Sequence, residues 1–155
     1  MSPQTLRRFL QLSRQQKRIV LVAAGTLLAT RIGLRIFGFR TYWRFLGSFG
    51  RGPAEKFASG ESIGKARAIA TLQSSAERHL FFLPNCLERS LVLQWMLRRE
   101  GIAANMRIGG RKQGARFEAH AWVEVNGTPV ENASSDGTAF VPFDSVHSAL
   151  ETEIP

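Results

Sequence analysis

The pattern of apolar and polar positions changes character at Gly101. Before it, apolar residues recur at the spacing of helices; after it, they alternate as in strands. At the start, Leu6, Phe9, Leu10 and Leu12 are interleaved with Arg7, Arg8, Gln11 and Arg14 as a roughly amphipathic helix. Residues 19–29 form an unbroken run of eleven uncharged residues. That is short of the roughly 18 expected of a membrane span. Leu34, Ile36, Phe37, Phe39, Trp43, Phe45 and Leu46 carry the apolar content onward past Arg31 and Arg35, so helices packed on the domain are expected here. Arg51-Gly52-Pro53 and Ser59-Gly60 then punctuate the chain. A further helix is expected over residues 62–79, with Ile63, Ala66, Ile69, Ala70, Leu72 and Ala76 as its apolar face.

Residues 83–100, LPNCLERSLVLQWMLRRE, predict the central element. Pro84 and Asn85 read as a helix start, with Asn85 as cap and Cys86 in the first turn. Leu87, Leu91, Val92, Leu93, Trp95, Met96 and Leu97 leave little polar face, the mark of a buried helix. Arg98 and Arg99 suit its negative end and Gly101 its stop. Beyond Gly101, a strand is expected over 102–108, ended by Gly109-Gly110 and a polar loop at 111–114. Residues 117–125, FEAHAWVEV, alternate cleanly: Phe117, Ala119, Ala121, Val123 and Val125 share one face, and Glu118, His120, Trp122 and Glu124 the other. Asn126-Gly127 signals a hairpin whose returning strand covers 128–132. Residues 140–143 read as a closing apolar segment, and residues 144–155 as a fraying tail. The fold class expected is α+β: N-terminal helices packed on a core made of a buried cysteine-bearing helix and an antiparallel sheet.

Composition sharpens this picture in two places. At 155 residues the chain has the size of one domain. Its single cysteine excludes an internal disulfide framework and a Cys-rich zinc site, which fits a reducing, cytoplasmic setting. The net charge of +9 is lopsided: residues 1–54 hold ten Arg and Lys and no acid, whereas residues 55–155 hold eleven bases and twelve acids. The organisation expected is a basic helical segment over 1–54 and a core over 55–155. The basic helices suit an acidic partner, an anionic membrane surface, or water alone. No nucleic-acid recognition motif accompanies them, and no small-residue cleavage site follows the apolar run as in a signal peptide.

Cys86 and His120 are the candidate chemistry. The exposed N–H groups at a helix start favour a thiolate, although a lone cysteine also serves as a small buried hydrophobe. A cysteine at a helix start followed by a histidine on a strand is the arrangement of papain-like thiol enzymes. There the histidine takes the thiol proton and returns it to the leaving amine, while a third polar group holds the imidazole. His79, beside Arg78 at a helix end, and His147, in the tail, rank below His120. Cys86 N–H is the simplest oxyanion donor. Arg89 suits a structural ion pair or a substrate contact, and Trp122 suits packing or shielding of the imidazole.

Three stretches carry a resemblance: CLERSLVLQWMLRREGI at residues 86–102, RIGGRK at 107–112 and FEAHAWVEVNG at 117–127. They resemble the transglutaminase-like core of lasso peptide maturation proteases, the B proteins that remove the leader from a lasso precursor, over about residues 60–143. The chain is similar to the split, stand-alone form. The resemblance implies a thiol peptidase with Cys86 as nucleophile and His120 as base, and no cofactor on this chain. It also implies three partners: the precursor peptide, a separate leader-recognition protein, and an ATP-dependent, asparagine-synthetase-like cyclase that closes the macrolactam. Membrane contact through the basic helices and a transglutaminase-type acyl transfer stay open beside it, as does a non-catalytic scaffold.

The third triad member departs from the family pattern. Where the family often has aspartate on the strand after the hairpin, this chain has Asn132, whose carbonyl oxygen can accept the imidazole N–H. Geometry leaves an alternative. With a two-residue hairpin loop, Glu131 sits opposite Trp122 on the His120 face and Asn132 faces away. A three-residue loop gives that face to Asn132. Asn132 is expected first, then Glu131, then Asp136.

Overall fold

A computed structural model describes residues 12–49, 59–113, 116–131 and 140–143. Three helices, α1 (Arg14–Phe49), α2 (Ser59–Glu77) and α3 (Cys86–Arg99), precede four strands: β1 (Asn105–Gln113), β2 (Arg116–Val125), β3 (Thr128–Pro129) and β4 (Val141–Pro142). The strands form one sheet in the order β3-β2-β1-β4, and all its pairings are antiparallel. The expected α+β architecture is present. The readings for residues 1–11 and for the tail from 144, His147 included, fall outside the described residues.

Helix α1 starts on a capping box that its sequence spells out. Ser13 Oγ accepts from Gln16 N at 3.2 Å, and Ser13 N donates to Gln16 Oε1 at 2.9 Å. The helix breaks at Gly38, whose φ of 71° and ψ of 168° suit glycine alone. Beyond the break the chain folds back: Tyr42 Oη lies 3.1 Å from Thr30 Oγ1, both residues buried. Residues twelve apart in a straight helix would be about 18 Å apart along the axis. Gly33 permits the return, since a Cβ there would collide with the Tyr42 ring. The short uncharged run understates the apolar character of this region. Residues Arg14–Leu46 include an 18-residue window of mean hydropathy 1.7, long and apolar enough to cross a membrane by length and composition.

One hydrophobic core joins all three helices to the sheet. Val20, Ala23 and Leu27 of α1 meet Ala66, Ile69 and Ala70 of α2, Val92, Leu93, Met96 and Leu97 of α3, and Val123 and Val125 of β2. Leu93, Leu97 and Val92 are fully buried, as expected of the central helix. Burying each such side chain contributes about 1.5–3 kcal/mol.

Several boundaries differ from expectation: α2 stops at Glu77 rather than 79, β1 starts at Asn105 rather than 102, and β3 covers only Thr128–Pro129 of the expected 128–132. Helix α2 begins at Ser59 rather than 62, because Ser59-Gly60 forms its first turn instead of a break. Strand β1 continues through Gly109-Gly110, which pair with His120 and Ala119, and reaches Gln113. Those glycines permit close approach rather than end the strand. A Cβ on Gly109 would strike the Val141 carbonyl and the Trp122 ring, and one on Gly110 the Phe117 ring.

Candidate active site

Asn85 caps α3 with φ −79° and ψ 170°. Its Oδ1 accepts from Glu88 N at 2.8 Å, while Asn85 N donates to Glu88 Oε2 at 3.0 Å. The sequence spells this capping box as N-x-x-E, a signal beyond the Asn85 cap alone. It sets Cys86, a half-buried free thiol, as the first residue of the helix. Arg89 N bonds Asn85 O at 3.1 Å, and Glu88 N is taken by the cap, so the Cys86 and Leu87 amides have no partner within the helix.

Helix α1 also braces this helix start. Arg31 lies over the Phe82 ring at 4.4 Å, donates to Leu83 O at 3.4 Å, and pairs with Glu88 Oε1 at 3.5 Å. Its opposite partner, Glu88, is 4% exposed. Nothing in the spacing of the chain linked Arg31 to Cys86, because the two are brought together only by packing.

One turn past Cys86, Arg89 has the structural ion-pair role. Its Nε reaches Glu77 Oε1 and Oε2 at 3.1 Å, and its Nη2 lies 3.9 Å from Glu131 Oε1. Gln73 Nε2 ties Arg89 O at 2.9 Å and Glu77 Oε1 at 3.2 Å into the same cluster. Ser90 is fully buried, and its hydroxyl makes no hydrogen bond of full geometry; it lies near enough to Glu131 to favour that carboxylate slightly.

His120 stands on the sheet face expected for it, opposite Gly109 and flanked by Trp122. The rest of that face is an ordered polar ladder. Arg107 Nε and Trp122 Nε1 meet the two oxygens of Glu124 at 3.2 and 2.8 Å, and Arg111 meets Glu118 at 2.8 Å. The imidazole stacks on Phe140 at 4.8 Å and more loosely on Trp122 at 6.4 Å, and Arg111 lies over the Phe140 ring at 4.6 Å. Burial, then the charges of Arg89 and Arg111, hold the His120 pKa below its ordinary 6.5. The imidazole is therefore neutral and able to accept a proton at physiological pH.

Asn126 and Gly127 have φ of 52° and 73°, and Val125 pairs with Thr128, which is the two-residue hairpin form. Val130 N donates to Val123 O at 3.0 Å, so the register runs past Pro129 and gives Glu131 the His120 face. The Glu131 carboxylate is nonetheless engaged elsewhere. Burial raises its pKa above 4.5, chiefly opposed by Arg89, and it is not among the groups that set the His120 pKa. Asn132 and Asp136 lie outside the described residues. His79 lies exposed in the turn just after α2 rather than in the helix.

Among the described residues no hydrogen bond joins Cys86 to His120. Arg89, one turn after the thiol in α3, is one of the charges that act on the imidazole. Two cavities lie away from these residues. One of about 350 Å³ is walled by Ile19, Ile69 and Met96, and another of about 550 Å³ by Ala29, Tyr42 and Trp95, toward the far end of α3. Of the residues expected at the site, the structure describes Cys86, His120 and Glu131. It adds Arg31, Glu88, Arg111 and Phe140 around them.

A family model described as the transglutaminase-like superfamily matches residues 24–144, most of the chain and beginning inside α1. No curated protein and no solved structure matches the chain.

Proposed function

The chain belongs to the transglutaminase-like superfamily, and from that premise we propose that it is a cysteine peptidase removing the leader from a ribosomally made lasso peptide precursor. The superfamily fits a thiol peptidase or acyl transferase. The observation that carries the reading is the half-buried thiol of Cys86 as first residue of a capped, buried helix, beside unpaired amides. Cys86 attacks the leader–core amide, with its own N–H and that of Leu87 available to the developing oxyanion. His120, neutral because burial and two arginines oppose its protonation, accepts the thiol proton and delivers it to the departing amine. Water then resolves the thioester.

The orienting role is proposed for Asn132 by its place in the family pattern, with Glu131 the alternative that the hairpin register supports. A separate leader-recognition protein delivers the precursor, and an asparagine-synthetase-like cyclase follows. Mass spectrometry of the precursor incubated with this protein and the recognition protein tests the reading, wild type beside Cys86→Ala. A leader fragment that depends on Cys86 is the expected result. Equal processing by Cys86→Ala removes the thiol from the mechanism. An amine adduct in place of the hydrolysed product assigns acyl transfer instead.

A further inference from the structure

The elbow of α1 is unlike the rest of the surface. Ile36 and Phe37 are 67% and 61% exposed, and Ile32 and Phe39 are exposed beside them, on both sides of the break at Gly38. Arg35, Arg40 and Arg44 are exposed on the same two arms, and residues 1–54 contain no acid. Soluble domains seldom gather so many bare large apolar side chains at one turn without a partner for them. Other arrangements of the region are excluded by its packing. A straight span is incompatible with the Tyr42–Thr30 contact and with Val20, Ala23 and Leu27 buried in the core. A second copy seated on the same patch would set Arg35, Arg40 and Arg44 against their own images.

We propose that this elbow docks on an anionic lipid bilayer, inserting Ile36, Phe37 and Phe39 among the headgroups while Arg35, Arg40 and Arg44 meet lipid phosphates. Apolar insertion plus a basic rim is the two-part signal that peripheral membrane attachment requires. The aromatic and aliphatic side chains crown a turn rather than line a groove, which suits a soft planar layer better than the contoured face of a protein. The attachment is peripheral, and it involves neither Cys86 nor His120, so its failure leaves the peptidase reading standing.

The test is co-sedimentation of the full chain with vesicles of phosphatidylcholine alone and with vesicles also containing phosphatidylglycerol. Binding is expected to the anionic vesicles, falling as salt is raised. Each arginine near the surface contributes about fivefold, so Arg35→Gln/Arg40→Gln/Arg44→Gln loses about a hundredfold. Phe37→Ser/Phe39→Ser loses tenfold or more while keeping the wild-type unfolding midpoint, since both side chains are exposed. The bound protein is released by alkaline carbonate. Absent or equal binding to both vesicle types, or indifference to both variants, overturns the proposal. Resistance to carbonate overturns its peripheral character, and salt-sensitive capture by an acidic protein with no vesicle binding assigns the elbow to a protein partner.

Discussion

Glu88→Ala is the sharpest test of how α1 and α3 together fix the start of the cysteine helix. The side chain is 4% exposed and serves two purposes at once: one oxygen accepts Asn85 N–H at 3.0 Å and the other faces Arg31 at 3.5 Å. Losing its half of the capping box costs about 1 kcal/mol. Breaking a wholly buried ion pair would cost about 3–5 kcal/mol, but the Arg31 side chain is 36% exposed and rehydrates. Its share is therefore nearer the 0.2–1 kcal/mol typical of accessible pairs. The sum is about 1–2 kcal/mol, and for a domain of this size it lowers the thermal midpoint by roughly 2–8 °C. Glu88→Gln keeps an oxygen for Asn85 N–H and loses about half as much. Urea unfolding of both variants with Arg31→Gln and the double mutant measures the coupling directly. Because Cys86 is the first residue of the helix, turnover should fall by more than the loss of folded protein at assay temperature. A Glu88→Ala cost below about 0.5 kcal/mol, or turnover that tracks the folded fraction alone, refutes the bracing argument.

The remaining predictions concern the sheet side. The folded pKa of His120 lies below 6.5. As pH falls through 6.5 the unfolded chain takes up its proton first, so stability drops, and the loss is complete below the lowered folded value. An NMR titration should place the His120 midpoint under 6.5 and move it upward in Arg111→Gln; a midpoint above 6.5 contradicts the assignment. Glu131 has the opposite sign. Its folded pKa is raised above 4.5, so stability is lost as pH rises through that raised value, and Glu131→Gln should flatten this slope in pH-dependent urea unfolding. In turnover assays Asn132→Ala is expected to lose activity about a hundredfold or more and Glu131→Gln only severalfold, each judged against the steep cost of a mispositioned triad imidazole; the reverse order transfers the orienting role to Glu131. Gly109→Ala would press on the Val141 carbonyl and the Trp122 ring. It should cost about 1–3 kcal/mol and, by prising Phe140 off the imidazole, return the His120 midpoint toward 6.5; an unmoved midpoint shows that β4 does not enclose the base.

The hydrophobic period alone determined the element types, because burying an apolar face is a local matter of which positions recur. Residues 86–99 could only be a buried helix, FEAHAWVEV a half-buried strand, and Asn126-Gly127 a tight turn, since each pattern has few alternatives that satisfy both backbone and side chains. That placed Cys86 at a helix start and His120 on a strand before any packing was known. The tertiary structure decided everything that depends on segments distant in sequence. Gly109 and Gly110 read as strand breakers until Trp122, Phe117 and Val141 came down on them. The basic helices were expected to pack on the domain, but only packing decided that Val20, Ala23 and Leu27 enter the common core and that Arg31 reaches the Cys86 helix start. The two-residue form of the hairpin gave Glu131 the His120 face, where its carboxylate lies 3.9 Å from Arg89 of α3. Local propensity is set by neighbours a few residues apart. The electric field at an imidazole is set by whichever charges folding brings near it, and here those charges are Arg89 and Arg111.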